Sequence, residues 1–282
     1  MVLFVVFITG LVWLLANVFN YNPDLIVFAL LLSTLMSFGG FWWSDKIILT
    51  LSGARPADRQ KEFNYYTVAE NLAMAAQLPM PKLYVLDDSA PNAFATGRDP
   101  QHAAIVVTTG LLQKLNRTEI EGVVAHELSH IKNYDIRLMG VVTILVGSVT
   151  LLADWFLHGL RFGGDDEKGS GNLRIIMGIV GFILILLSPI IAQLIQLTLS
   201  RRREYFADAA GAFLTRYPEG LASALEKISA DTEPLEAANK ATAHLYITDP
   251  LKNNKGSVNW FAGLFNTHPP IAERIRLLRQ MV

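Results

Sequence analysis

The sharpest chemistry in the sequence is carried by five consecutive residues, His126-Glu127-Leu128-Ser129-His130. Histidines four positions apart on a helix lie one turn apart on one face, so both imidazoles reach a single ion at about 2.0–2.1 Å. Glu127 then sits beside that ion on a different azimuth, where a carboxylate accepts a proton from an activated water. The plain alternative, a polar helix face turned to water, leaves this spacing to chance. A catalytic zinc takes three protein ligands and keeps one position open. By spacing, the third ligand stays open among Glu204, Glu121 and Asp135. Glu204 is the best placed, because Asp208 follows one turn later and can accept the free N–H of a ligand histidine. Glu204 could equally do no more than pair with Arg201, Arg202 and Arg203. The chain contains no cysteine, which excludes disulfides, thiol nucleophiles and thiolate metal sites, so any metal must use imidazole and carboxylate.

These residues need elements to hold them. Thr118 and Glu121 stand at capping-box spacing, predicting a helix that runs from there through His126 toward Lys132. Apolar residues at helical spacing over 66–76 stop at Leu78-Pro79-Met80-Pro81. Residues 82–86 (KLYVL) and 103–108 (AAIVVT) read as short strands. The stretch between them is rich in Asn, Asp, Gly and Pro and reads as a loop or a long hairpin. An extended substrate could pair with an edge at 103–108. Downstream, residues 200–214 and 221–228 read as helices, and Thr267-His268-Pro269-Pro270 precedes a Pro-started amphipathic helix.

The chain has 282 residues, of which 51% are hydrophobic and 17% charged, with a mean hydropathy of +0.33. Soluble domains carry about 25% charged residues, so the composition is that of a membrane protein, and it excludes a disordered chain. A net charge of -1 argues against a nucleic-acid partner, which would need a clear Lys/Arg excess. Four apolar runs, 1–18, 25–43, 139–157 and 175–200, approach the ~20 residues that cross a ~30 Å hydrocarbon core. The first lacks the basic start and cleavage site of a signal peptide and is expected to be retained. Four spans put 21 of the 24 Lys and Arg on one side, against Arg161, Lys168 and Arg174 on the other. The charges beside the spans, Lys46, Lys132, Arg137 and Arg201 to Arg203, place that side in the cytoplasm.

With these motifs in order, the chain resembles the HtpX-type membrane zinc metalloproteases, relatives of the CAAX prenyl proteases. The resemblance rests on Asn92-Ala-Phe-Ala-Thr-Gly97, VVAHELSHIKNYD, SRRREYFADA and Thr267-His-Pro-Pro270, set between two pairs of spans. It implies one zinc per chain bound by His126, His130 and Glu204, with Glu127 as general base. It further implies that Asn92, Ala93 and Phe94 hold substrate backbone and that His268 helps stabilise the transition state. The expected fold is mainly α: four transmembrane helices and a cytoplasmic zincin-like α+β catalytic domain with a small sheet. Residues 1–43 form the first hairpin and 44–138 the first catalytic part. Residues 139–200 form the second hairpin, with an external loop at 158–174, and 201–282 complete the catalytic domain.

The expected activity is hydrolysis of misfolded or damaged membrane proteins and unfolded polypeptides at the cytoplasmic face of the inner membrane. A zinc-dependent scaffold that holds clients without cutting them is the competing reading. A protease cutting inside the bilayer is disfavoured, because Glu119, Glu121, Lys132 and Asp135 flank the motif. His102, His158 and His244 have no partners at ligand spacing and read as surface residues.

Overall fold

Between a strand's period of two and a helix's period of 3.6, the sequence distributes its apolar residues so that one small sheet is flanked by helices. The computed structural model describes residues 5–6, 9–10, 13, 24–145, 147, 200–236, 242, 245–248 and 269–281. Helix α1 (Asp24–Trp42) covers most of the second apolar run, and α2 (Ser44–Ser52) follows after a break at Trp43. At about 1.5 Å per residue, α1 is about 28 Å long, just short of a ~30 Å hydrocarbon core, and it opens on a charged Asp24. Among the described residues no helix is long and apolar enough to cross a membrane. The other three expected spans and the 158–174 loop lie wholly or mostly outside the described residues.

The sheet has four strands in the order β1-β2-β4-β3, with β1 at Arg55–Pro56, β2 at Lys82–Leu86, β3 at Ala93–Gly97 and β4 at Ala103–Thr108. The two expected strands, β2 and β4, run parallel, with Leu83 opposite Ile105. They are not a hairpin. The chain leaves β2, lays down β3 at the far edge and returns between them, so β3 pairs antiparallel with β4, Ala95 opposite Ile105. This arrangement overturns the expected substrate edge at 103–108. Strand β4 is central, and its near-continuous apolar run is what burial on both faces requires. The outer edge belongs to β3.

The two sheet faces feed two cores. Val85, Ala95, Ile105 and Val107 pack toward the helices of the metal site, and Phe94, Ala104 and Val106 pack toward Ile48, Leu49 and Met139. Helix α3 (Phe63–Ala76) is fastened to the central strand by the Tyr65 hydroxyl, which donates to the Ile105 carbonyl at 2.9 Å. Helix α4 (Thr109–Lys114) leads into α5 (Arg117–Lys132), and residues 135–145 are again helical. The C-terminal part supplies α6 (Arg201–Thr215), α7 (Pro218–Ala230) and α8 (Ile271–Arg279).

Helix α5 starts one residue before the expected Thr118. Its N-cap is Asn116, whose side chain accepts the Glu119 N–H at 3.0 Å, while Glu119 accepts the Asn116 N–H at 2.8 Å. The capping box is therefore Asn116/Glu119 and not Thr118/Glu121, because the backbone is still extended at Leu115 and Asn116 and already helical at Arg117. Glu119 also receives Lys227 of α7 at 2.8 Å, tying the start of the motif helix to its neighbour. At Gly122 a side-chain carbon would meet the Leu221 backbone nitrogen at 2.5 Å, so only glycine lets α5 and α7 approach this closely.

Candidate metal centre

Helix α5 is buried from Val123 to Ile131, and the three polar residues of the motif are turned inward with the apolar ones: His126 is 1%, Glu127 3% and His130 3% exposed. Burying three ionisable groups on one turn is costly unless they are paired or bind a metal. Helix α6 lies along α5, and Gly211 of α6 faces the His126 backbone, where a side-chain carbon would come within 3.1 Å of nitrogen. This contact leaves Glu204, in the first turn of α6, over the two imidazoles.

The donor atoms converge. The Nε2 atoms of His126 and His130 are 3.2 Å apart, with Glu204 Oε1 3.5 Å from His130 Nε2 and Glu204 Oε2 3.8 Å from His126 Nε2. A tetrahedral ion with bonds of about 2.0–2.1 Å has ligand-to-ligand edges of about 3.3–3.4 Å. Two imidazoles and a carboxylate at these separations are a donor set a zinc ion fits, and His126, His130 and Glu204 form a group able to hold a metal. Of the three candidates for third ligand, Glu204 joins the histidines. Glu121 instead pairs with Arg117 on the helix surface, and Asp135 takes a different part.

Each imidazole is held from behind by its own carboxylate. His126 Nδ1 meets Asp208 Oδ1 at 2.9 Å, and His130 Nδ1 meets Asp135 Oδ2 at 3.0 Å. Such a contact fixes the ring and turns Nε2 toward the shared point. Both carboxylates are in turn held by arginines. Arg274 of α8, fully buried, donates from Nε and Nη2 to the two oxygens of Asp208 at 2.8 and 2.7 Å. It also donates to the Ile247 carbonyl at 3.3 Å and lies 3.3 Å from Glu204 Oε2. On the other side Arg203 pairs with Asp135.

These contacts shift the acidities. Burial pushes the Glu127 carboxyl up, opposed by the two histidines and reinforced by Glu204. Burial works against a charged His130, yet the hydrogen bond to Asp135 and the charges of Glu204 and Glu127 win, and its pKa is pushed up to about 9. Burial would raise Asp208, but Arg274 and the His126 hydrogen bond hold it below the usual carboxylate range.

The residues expected to hold substrate lie at the start of β3. Asn92 is buried and internally committed: its Nδ2 donates to the Thr248 carbonyl at 3.2 Å and its Oδ1 accepts the Ala93 N–H at 3.0 Å. Phe94 turns to the sheet face away from the motif helix and packs edge-on against Tyr246, ring centres 5.0 Å apart. The Ala93 carbonyl accepts the Ile247 N–H at 2.9 Å. Alternation along β3 turns the main chain of Ala95 to the same edge as that of Ala93, and Ala95 too is buried. His268, His158 and His244 lie outside the described residues. His102 is a half-exposed partner of Asp99 at 2.6 Å.

Arg274 stands at no ligand spacing in the sequence, and Asp135 and Arg203 support the site instead of binding the metal or pairing with Glu204. A signal for Arg274 exists. In α8 the apolar stripe runs through Ile271, Ile275 and Leu278, and Arg274 stands on it, three residues after the first and four before the last. An arginine in an apolar stripe needs a buried acid.

The model of peptidase family M48 matches residues 59–282. The chain is similar to a protease HtpX homolog of Dictyoglomus turgidum, 48% identical over 256 residues, covering 91% of this chain and 82% of that protein. A protease HtpX homolog of Caldanaerobacter subterraneus subsp. tengcongensis is 47% identical over 266 residues, covering 93% and 87%. Among solved structures, S. mikatae Ste24p shares the fold with a TM-score of 0.52 at 21% identity, over 95% of this chain. The chain spans 62% of the length of that protein.

Proposed function

Because the chain belongs to peptidase family M48 and is a metalloprotease, we propose that it is a membrane-bound zinc endopeptidase. It would cut misfolded or damaged membrane proteins at the cytoplasmic face. The observation that carries the reading is the convergence of His126, His130 and Glu204 on one point, with Glu127 buried beside them. His126, His130 and Glu204 hold the zinc. When bound, the ion supplies Lewis acidity, making water acidic enough to react near neutral pH and polarising the scissile carbonyl.

The remaining work falls to the side chains. Glu127 takes the proton from the attacking water and returns it to the leaving amine. Its upward shift by burial suits a group that must both accept and release a proton. Asp208 and Asp135 hold the two imidazoles in the orientation that presents Nε2. An extended peptide would pair along the outer edge of β3 by main-chain bonds, which favours unfolded chains of many sequences over one motif. Asn92 and Phe94 support that edge from within the fold. His268, by family resemblance, donates to the developing oxyanion. The membrane anchorage rests on the four apolar runs and the basic residues beside them.

Glu127→Gln and wild type, purified in detergent and zinc-loaded, are compared for metal content and for casein cleavage. Equal zinc with a loss of cleavage of at least about 100-fold is expected for removal of a general base. Equal zinc and no cleavage by either protein, on casein or on a membrane client, would favour a scaffold that holds clients without cutting them.

A further inference from the structure

Near the metal site, on the side of Asp135, lies a cavity of about 460 Å³ that the hydrolytic reading does not use. Its walls include Phe41, Tyr134, Arg137, Leu138, Val141 and Arg203. These residues come from three separate places: the end of α1, the residues that follow α5, and the first turn of α6. In the sequence they mark where three of the four expected spans meet the cytoplasm. Phe41 lies at the end of the run at 25–43, Leu138 just precedes and Val141 lies at the start of the run at 139–157, and Arg203 follows the run at 175–200.

The chemistry of the lining is amphipathic. Phe41, Leu138 and Val141 are apolar, and Arg137 and Arg203 are cationic. Arg137 is exposed. Its Nε donates to the Arg98 carbonyl at 3.0 Å and its guanidinium lies 5.4 Å from the Tyr134 ring centre. Among the described residues no carboxylate pairs with it. Arg98 stands alongside, paired with Asp99 at 3.4 Å, over the Trp42 ring at 4.5 Å and bonded to the Trp42 carbonyl at 2.8 Å, so Arg137 adjoins an exposed tryptophan pair. Tyr134 has a positive φ of 60° and ends the turn that closes α5, its N–H donating to the Ile131 carbonyl at 3.1 Å. There it caps Arg137 with its ring at the rim of the cavity.

We propose that this cavity binds the headgroup phosphate of an acidic phospholipid of the cytoplasmic leaflet. Arg137 makes the charge-assisted contact, and Phe41, Leu138 and Val141 meet the start of the acyl chains. The inference rests on the membrane reading above. Basic pockets at the cytoplasmic ends of spans take anionic headgroups, and tryptophan and tyrosine settle at the same depth. Arg203 shares the cavity wall and pairs with Asp135, which holds His130. An occupying phosphate would therefore sit one ion pair from a residue of the metal site.

The test uses the full chain in detergent with dioctanoyl phosphatidylglycerol and dioctanoyl phosphatidylcholine as probes, binding read by native mass spectrometry. Wild type is expected to favour the acidic lipid by about fivefold, the contribution of one cation near an anionic headgroup. Arg137→Gln is expected to lose that preference, Arg137→Lys to keep most of it, and Arg59→Gln, an exposed arginine paired with Glu70, to leave it intact. Retained preference in Arg137→Gln would overturn the site, as would an equal loss in Arg59→Gln, which would mean general surface charge. Displacement by inorganic phosphate at the concentration of the lipid would also overturn it, by making the cavity a free-anion site. Alkaline extraction of cell membranes separates this inference from the reading beneath it. Wild type that stays with the membrane but shows no lipid preference fails the inference alone, and wild type that is released fails the membrane reading.

Discussion

The two histidines of the metal site are backed by the same device, a carboxylate held by an arginine, built in two different environments. Behind His126, Asp208 and Arg274 are both buried, and the arginine grips both carboxylate oxygens. Behind His130, Asp135 is buried but the Arg203 side chain is 42% exposed. Water screens the second arginine and not the first. The His126 side is thus a fixed support in which removal of one charge strands others, and the His130 side is adjustable, its outer charge replaceable by solvent or salt. The fixed half also ties distant chain segments together, since Arg274 of α8 reaches Asp208 and Glu204 of α6 and the Ile247 carbonyl.

The largest effect is therefore expected from Arg274. Arg274→Met leaves Asp208 and Glu204 buried without their shared cation, and a broken buried pair costs about 3–5 kcal/mol. A denaturant midpoint measured on the metal-free protein should fall accordingly. The double variant Arg274→Met, Asp208→Leu removes the Asp208 charge along with its cation and should regain the part of the loss owed to Asp208, while Glu204 stays buried without Arg274. It should not regain metal affinity, because His126 has then lost its acceptor. Recovery of both would mean that the pair serves the fold alone.

An intermediate effect comes from the carboxylates. Asp208→Asn and Asp135→Asn keep the shape of the support and remove its charge, and loss of such a partner lowers metal affinity by about 10- to 100-fold. Zinc competition with a chromophoric chelator reads this directly. Asp208→Asn should be the more damaging, because it also leaves Arg274 buried opposite a neutral amide, whereas Arg203 can turn to water after Asp135→Asn. Equal losses in the two variants would show that the environment behind each histidine does not matter.

The same contrast explains what the sequence made legible. The two histidines and Glu127 are fixed by a spacing within one helix, and a period of 3.6 is visible in any sequence. Spacing makes Glu204 only the best placed of three candidates, because its place depends on α6 lying against α5 through Gly211, a close backbone approach between residues far apart in the chain. Arg274 lies 66 positions from Asp208, and an arginine on a short helix is ordinarily solvated, so only its place on the apolar stripe betrays it. Strand β3 was hidden for another reason. All five of its residues, Ala-Phe-Ala-Thr-Gly, are buried, so it lacks the alternation of a half-exposed strand, and the Asn, Asp, Gly and Pro around it read as a loop. Without β3, β4 looked like an edge.

The smallest effect, and the finest test of the contrast, is at Arg203. Arg203→Gln removes the exposed cation but leaves Asp135 bonded to His130, so the ring keeps its acceptor. An ion pair with one exposed partner contributes about 0.2–1 kcal/mol, screened by salt. Zinc affinity should therefore fall by no more than about fivefold at low salt, and the gap between variant and wild type should close by ~0.5 M salt, where the Debye length is only a few ångström. For Arg274→Lys, which keeps a buried charge without the two-pronged grip, the gap should persist at the same salt, because water and ions do not reach the pair. A salt-insensitive defect in Arg203→Gln would mean that the exposed arginine is held as rigidly as the buried one, and the two halves of the site would then differ in position but not in kind.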